Sequence, residues 1–267
     1  MIHLREIHIH QPEGDRNVFP WNVPAIHAIN VLTFQKPVTV LVGENGSGKS
    51  TLLEAIARAA GSITVGSDGA SQDETLVAVQ PLVNALRMVW NQRTHRGFFL
   101  RAEDFFGYIK RLRKLRQSML DELDRIDRDY KGRSEYAKSL ASEPAISSLY
   151  SLDQQYGEDL DANSHGESFL ELFQSRFVPG GLYLLDEPEA ALSPLRQMGL
   201  ISMIKGMVLK NAQFVIATHS PILMAVPDAV LYDFDKDPPC ATSNNCLEHV
   251  GGYRAFLDDP DAFVHRL

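Results

Sequence analysis

The sequence predicts an α/β fold in which an open sheet delivers reactive turns to one edge, and three apolar runs predict it. Val38–Val42 leads into a glycine-rich turn and a helix, Leu182–Leu185 ends in Asp186 and Glu187, and Gln213–Ala217 ends in Thr218, His219 and Ser220. In an open α/β sheet, ligands bind beyond the carboxyl ends of the strands, so the three runs aim at one place. The chain has 267 residues, enough for one large domain or two small ones with a substantial core. Its 44% hydrophobic and 22% charged residues are those of a soluble globular protein. A formal charge of −8 argues against a nucleic-acid coat over the whole surface while leaving room for a local basic patch. The two cysteines, Cys240 and Cys246, both lie in one late loop. They exclude a disulfide scaffold or a four-ligand zinc site and suit a reducing cytoplasm, where the chain is expected to act.

Residues 1–10 alternate as a strand rather than a leader, with Ile2, Leu4, Ile7 and Ile9 as candidate core. His3, His8 and His10 read as exposed strand histidines, because no carboxylate or cysteine cluster accompanies them. Phe19–Pro24 is a rigid aromatic loop ahead of a second strand over 28–34, its aromatics destined for core packing or for stacking on a base.

The next stretch carries the most chemistry. Gly43, Glu44, Asn45, Gly46, Ser47, Gly48, Lys49, Ser50 and Thr51 fill the pattern G-x-x-x-x-G-K-[ST]. Glycines let the backbone curl so that successive N–H groups face phosphate oxygens, and the following helix N-terminus adds partial positive charge. Lys49 is placed to reach the β/γ-phosphates, and the Ser50 hydroxyl to ligate Mg²⁺. The strand before and the helix after complete the context, which implies a nucleoside triphosphate site.

Residues 61–74 read as a loop, and 76–90 stay ambiguous because Pro81 interrupts any continuous helix. Leu86–Trp90 and 97–102 look like a hairpin turned at 92–96. From Asp104 to about Arg133, Ile109, Leu112, Leu115, Met119, Leu123, Ile126 and Tyr130 recur at steps of three and four, the stripe of a long amphipathic helix. Its first half carries Lys110, Arg111, Arg113, Lys114 and Arg116, and its second half is acidic. This is a solvated face with i,i+4 ion pairs, the commoner fate, or a docking patch for DNA or a protein partner. A second helix near 139–155 folds back on it. The expected organisation is an ATPase core over 1–103 and 161–267 with a helical insert at 104–160.

Two acids closing an apolar strand are hard to explain as solvated surface. Asp186 is placed to hold the Mg²⁺ shell and Glu187 to polarise an attacking water. His219, at the tip of its own strand, is placed to contact the γ-phosphate. Ser164 and Glu167 form a capping box, and with Gly166 beside them the helix start is also an anion site.

The ordered set GENGSGKST, NSHGES, LYLLDEPEAALSP and IATHSP resembles the ABC-type ATPases, covering most of the chain. It is most similar to the soluble, non-transporter branch: bacterial stand-alone ATPases, with DNA-repair and chromosome-maintenance heads as more distant relatives. The resemblance implies a P-loop NTPase fold, ATP and Mg²⁺ as cofactors, and an ATP-dependent homodimer with two nucleotides sandwiched between subunits. It implies γ-phosphate contact in trans from Ser164 and Gly166, general-base work for Glu187, a transition-state role for His219, and a D-loop at 190–193. His165, Glu167 and Ser193 depart from the usual signature and D-loop residues, and Glu103 or Gln80 stands for the Q-loop glutamine. Alternative readings are an ATP-switched clamp on DNA or protein with slow hydrolysis and the energy subunit of a transporter. No run nears ~18 consecutive apolar residues, so no membrane span is expected.

Overall fold

The computed structural model describes residues 1–12, 17–65, 74–156 and 165–264. In chain order the first elements are β1 (Leu4–Ile9), α1 (Pro24–Ala28), β2 (Val31–Thr33), β3 (Val38–Val42) and α2 (Lys49–Ala60). Next come α3 (Gln80–Ala85), β4 (Leu86–Trp90), β5 (Gly97–Arg101), α4 (Ala102–Asp129), α5 (Glu135–Tyr156) and α6 (His165–Arg176). The chain continues through β6 (Leu182–Asp186), α7 (Pro194–Val208), β7 (Gln213–Ala217), β8 (Val230–Asp233) and β9 (Cys240–Thr242) to α8 (Glu248–Asp258) and α9 (Pro260–Val264).

The main sheet has the order β5-β6-β7-β3-β8-β9, parallel except for the antiparallel edge strand β9. β3, β6 and β7 are buried along their whole length, as strands covered on both faces must be. Alternation divides their side chains. Val40, Val42, Tyr183, Leu185, Phe214 and Ile216 face a core with α4, α6 and α7, while Leu41, Leu184 and Val215 face α2 and a second, three-stranded sheet. That sheet has the order β2-β1-β4, all antiparallel. On the first face, Phe169, Phe173 and Phe177 follow at steps of four down α6 and its exit; Phe173 and Phe177 stack on Phe98 at 6.1 and 5.9 Å, and Phe177 meets Tyr183 and Phe214 edge-on at 4.7 and 5.6 Å.

A buried amide joins the two sheets. Gln213, at the start of β7, accepts from His3 N (2.7 Å) and Leu4 N (2.8 Å) through Oε1 and donates through Nε2 to Leu4 O (2.8 Å). Gln213→Leu would leave all three backbone groups unsatisfied, and the expected loss is roughly 2–4 kcal/mol, read as a fall in urea midpoint.

Several expectations need correction. β4 and β5 are not a hairpin: β4 pairs with β1, and β5 lies parallel to β6 in the main sheet. The physical reason is burial, since β5 is nearly all buried and β4 only half so, and the 91–96 connection carries the chain from one sheet to the other. The second strand is shortened to Val31–Thr33 because Pro24 starts α1. Pro81 sits in the first turn of α3, where a proline fits a helix, after a 3₁₀ turn. His3 is 3% exposed rather than a surface histidine, and its Nε2 lies 2.7 Å from Asn211 O. Trp21 joins the core, while Phe19 is exposed.

In the expected insert, α4 and α5 form an antiparallel pair over the described residues, and α5 starts four residues earlier than expected, at Glu135. Leu112 and Ile126 are buried as the stripe requires, but Leu115 is exposed. Of the five basic residues, Arg116 pairs with Asp153 across the hairpin at 3.3 Å, and Arg113 is half-buried. Lys110, Arg111 and Lys114 remain exposed. Among the described residues no helix is long and apolar enough to cross a membrane.

Candidate functional site

The loop after β3 turns on three glycines at positive φ: Gly43 (146°), Gly46 (83°) and Gly48 (101°). A Cβ on Gly48 would stand 2.7 Å from Val23 of the segment leading into α1, so backbone and side wall meet there without room for a side chain. Glu44, Asn45 and Gly46 form the exposed lip, Ser47 is half-buried, and Ser50 and Thr51 open the first turn of α2. Lys49 is buried and folds back over the loop, donating to Gly43 O (2.8 Å), Glu44 O (2.7 Å) and Ser47 Oγ (3.3 Å). Burial pulls its pKa down, opposed by the surrounding carboxylates of Asp235, Glu187, Asp186 and Glu189.

The parallel register brings the second acidic strand end alongside. Asp186 is paired with Ala217 across β6 and β7, and β7 in turn lies beside β3. Ser50 Oγ donates to Asp186 Oδ1 at 3.0 Å. Asp186 is 8% exposed, and burial pushes its carboxyl up to about 6 despite the Ser50 hydrogen bond and the Lys49 charge. A buried carboxylate beside a hydroxyl, with one hydrogen bond among the described residues to offset its desolvation, is the donor set of a hard divalent cation. The stabilisation from holding this proton is fully present below the unfolded pKa near 3.8 and is lost as pH rises through about 6. The cation-free protein should therefore lose on the order of 2–3 kcal/mol relative to Asp186→Asn between pH 4 and pH 7, measured by denaturant unfolding in chelator.

Glu187 follows in the left-handed region at φ 48°, held by its N–H to Ala217 O at 2.9 Å. A non-glycine residue there is strained, and the turn lifts the Glu187 side chain, 44% exposed, out of the sheet end. Its Oε1 lies 3.5 Å from His219 Nε2, a contact without hydrogen-bond geometry. Burial and the nearby Lys49 lower the His219 pKa, against the opposite pull of Glu187 and Glu189, so the imidazole is neutral at pH 7. The structure thus brings Lys49, Ser50, Asp186, Glu187 and His219 to one sheet edge. Ser164 lies outside the described residues. A helix does begin at His165, and nothing is described of the side chain of Glu167 beside Gly166. Ser193 and Pro194 start α7. Glu103 stands just past the end of β5, next to the β6 end, whereas Gln80 is turned away to Arg58 and Asn84.

A family model described as "AAA domain" matches residues 22–81, and one described as "AAA domain, putative AbiEii toxin, Type IV TA system" matches residues 67–225, more than half of the chain. The chain belongs to the AAA/ABC-type P-loop ATPase domains. This ATPase domain is 23% identical over 212 residues to the macrolide export ATP-binding/permease proteins MacB of Psychrobacter cryohalolentis and Psychrobacter arcticus, covering 78% of the chain and 29% of each relative. It thus spans under a third of the length of those curated relatives. Among solved structures it is similar to the Smc head domain of Pyrococcus furiosus bound to the C-terminal domain of ScpA (13% identity, 95% of this chain and 100% of that one, TM-score 0.47). It is also similar to an ATP-binding cassette of an ABC transporter in its ADP conformation (18% identity, 87% of each chain, TM-score 0.43).

Two residues of the ATPase site escaped sequence reasoning. Glu189 Oε1 accepts from Thr218 Oγ1 (2.6 Å), His219 N (2.7 Å) and Ser220 N (3.1 Å), so one carboxylate oxygen fixes the turn that presents His219. Asp235 Oδ1 accepts from Glu44 N at 2.8 Å, clasping the lip of the P-loop from the turn after β8. The Asp235 signal was available: Leu231–Asp235 is another largely apolar run closing in carboxylates. A cleft of ≈ 180 Å³ opens there beside Gly43, Glu44 and His219, with His249 and Tyr253 on its far wall.

Proposed function

We propose that the chain is a Mg²⁺-dependent ATP phosphohydrolase of the cytoplasm that works as a nucleotide-sandwich homodimer. The observation that carries this reading is the meeting of Ser50 with Asp186 at 3.0 Å and of Glu187 with His219 at 3.5 Å, all within reach of the P-loop lysine. Lys49 exchanges its bonds to Gly43 O and Glu44 O for phosphate oxygens, while the loop N–H groups and the start of α2 hold the chain of phosphates. Ser50 and Asp186 would hold Mg²⁺, which when bound neutralises charge on the β- and γ-phosphates. Glu187 orients a water and accepts its proton as the water oxygen attacks the γ-phosphorus and the bond to the β,γ-bridging oxygen breaks. His219, beside Glu187, contacts the γ-phosphate, and Glu189 keeps His219 in place.

One triphosphate cannot fill both the P-loop and the helix start at 164–167 of the same subunit, so the second cradle, Ser164 and Gly166, completes the site of the partner. Two inactive variants test this. Lys49→Ala and Ser164→Arg should each be inactive, and mixing them should restore activity, because a mixed dimer keeps one intact composite site. Full-rate hydrolysis by a strict monomer, checked by light scattering at assay concentration, would sink the shared site. A second reading, the energy module of a transporter, draws on the likeness to the MacB proteins. Its mark would be a membrane subunit that copurifies in stoichiometric amount. The charged α4–α5 hairpin, read as an insert of the ATPase, offers Lys110, Arg111 and Lys114 to a DNA or protein partner instead.

A further inference from the structure

A second cleft, of ≈ 600 Å³, lies at the opposite end of the main sheet, where β5, β6 and β7 begin. β6 is five residues long, so the two ends are separated by roughly 17 Å of strand. Arg93, Arg96 and Lys210 line the cleft together with His3 and His95, and no carboxylate is among the described residues that do. That is unexpected in a chain where 34 acidic residues outnumber 26 Lys and Arg. Scattered surface charge would mix the signs, as it does along α4.

The walls are fixed by hydrogen bonds. Thr94 Oγ1 donates to Gly180 O (2.9 Å), Leu182 N to Arg96 O (2.9 Å), Gly180 N to Lys210 O (3.0 Å) and Asn91 N to His3 O (2.8 Å). The cations are thereby carried on a pre-formed frame, which lowers the cost of gathering them around a ligand. A second observation points the same way. His3 is 3% exposed and anchored at Nε2 by Asn211 O, while its Nδ1 has no hydrogen-bond partner among the described residues. A buried ring nitrogen on the cleft wall that no described protein group satisfies marks a place for a ligand's polar atom.

We propose that this cleft binds a compact anion bearing two or more phosphate charges. Arginine forks match phosphate oxygens two at a time, Lys210 adds a mobile point charge, and the volume suits a ligand the size of a nucleotide. The anion is a free oligophosphate or the 5′-phosphate end of a nucleic-acid strand.

The experiment uses the Lys49→Ala protein, in which phosphate binding at the P-loop is weakened; any that remains there is indifferent to Arg93 and Lys210, so the proposal stands apart from the ATPase reading. Inorganic tripolyphosphate, titrated calorimetrically at low salt, should bind one to one. Adding Arg93→Ala and Lys210→Ala, both exposed loop positions, should weaken binding at least tenfold with no change in melting temperature. A 5′-phosphorylated oligonucleotide that binds at least tenfold better than its unphosphorylated twin would identify the strand end as the source. Binding of tripolyphosphate but of neither oligonucleotide would identify a free anion. Absence of tripolyphosphate binding, or binding indifferent to the two substitutions, would overturn the proposal. So would equal binding of the two oligonucleotides that is lost on substitution, because internal phosphates would then be the ligand.

Discussion

Glu187→Gln is expected to lower phosphate release by roughly two to four decades, the scale of general-base effects, while ATP still binds. The amide is nearly isosteric, so the turn at φ 48° and the bond from residue 187 N to Ala217 O persist, and only the ability to accept a proton is lost. Nucleotide should then be trapped, and the variant should sediment as a dimer in ATP but not in ADP. Hydrolysis within a few-fold of the natural protein would remove Glu187 from the mechanism and leave it a strained turn residue. Glu189→Ala offers a contrast. It frees the Thr218–Ser220 turn rather than the proton acceptor, so its loss of rate should be smaller and should come with no ATP-trapped dimer.

The largest expected effect on stability is at Gly97, the first residue of β5. Its φ is +109°, and a Cβ there would stand 1.9 Å from Leu182 O and 2.6 Å from Leu182 C. Those atoms are backbone of the adjacent strand, so no side chain can swing aside. Gly97→Ala should cost roughly 3–5 kcal/mol, by strained φ plus displaced strand pairing. Gly61→Ala is the matched control. Gly61 caps α2 at φ +68° with open space where the Cβ would go, so its cost is conformational strain alone, roughly 1 kcal/mol. Equal urea midpoints for the two variants would mean that β5 and β6 can part without penalty.

Strong local patterns made much of this legible. A buried strand followed by a glycine turn and a helix is nearly sufficient to write the P-loop, and the acidic end of Leu182–Asp186 is as plain. The α4 helix could be read from its period, although Leu115 lies exposed between the buried Leu112 and Ile126. What failed was pairing. Leu86–Trp90 and Gly97–Arg101 are close in sequence and both strand-like, and nothing local says that they belong to different sheets. Gln213 and His3 were missed for a related reason: each gains meaning only from a partner about two hundred residues away. Glu189 was in plain view within DEPEAALSP, but its three hydrogen bonds depend on the packing of a turn that sequence spacing does not describe.

The sheet order carries a consequence for synthesis. The neighbours of β3 are β7 and β8, so the strand that leads into the P-loop emerges early and waits for partners made near the end. At ~5–20 residues per second, that interval is roughly ten to forty seconds. Meanwhile β1, β2 and β4 can pair with one another, and α2 can pack on them, which hides Leu52, Leu53 and Ile56 before the main sheet exists. The other face of β3, with Val38, Val40 and Val42, has no such early shelter. A ribosome-bound chain stalled before β7 should therefore present this face to a trigger-type chaperone, and one released after β8 should not.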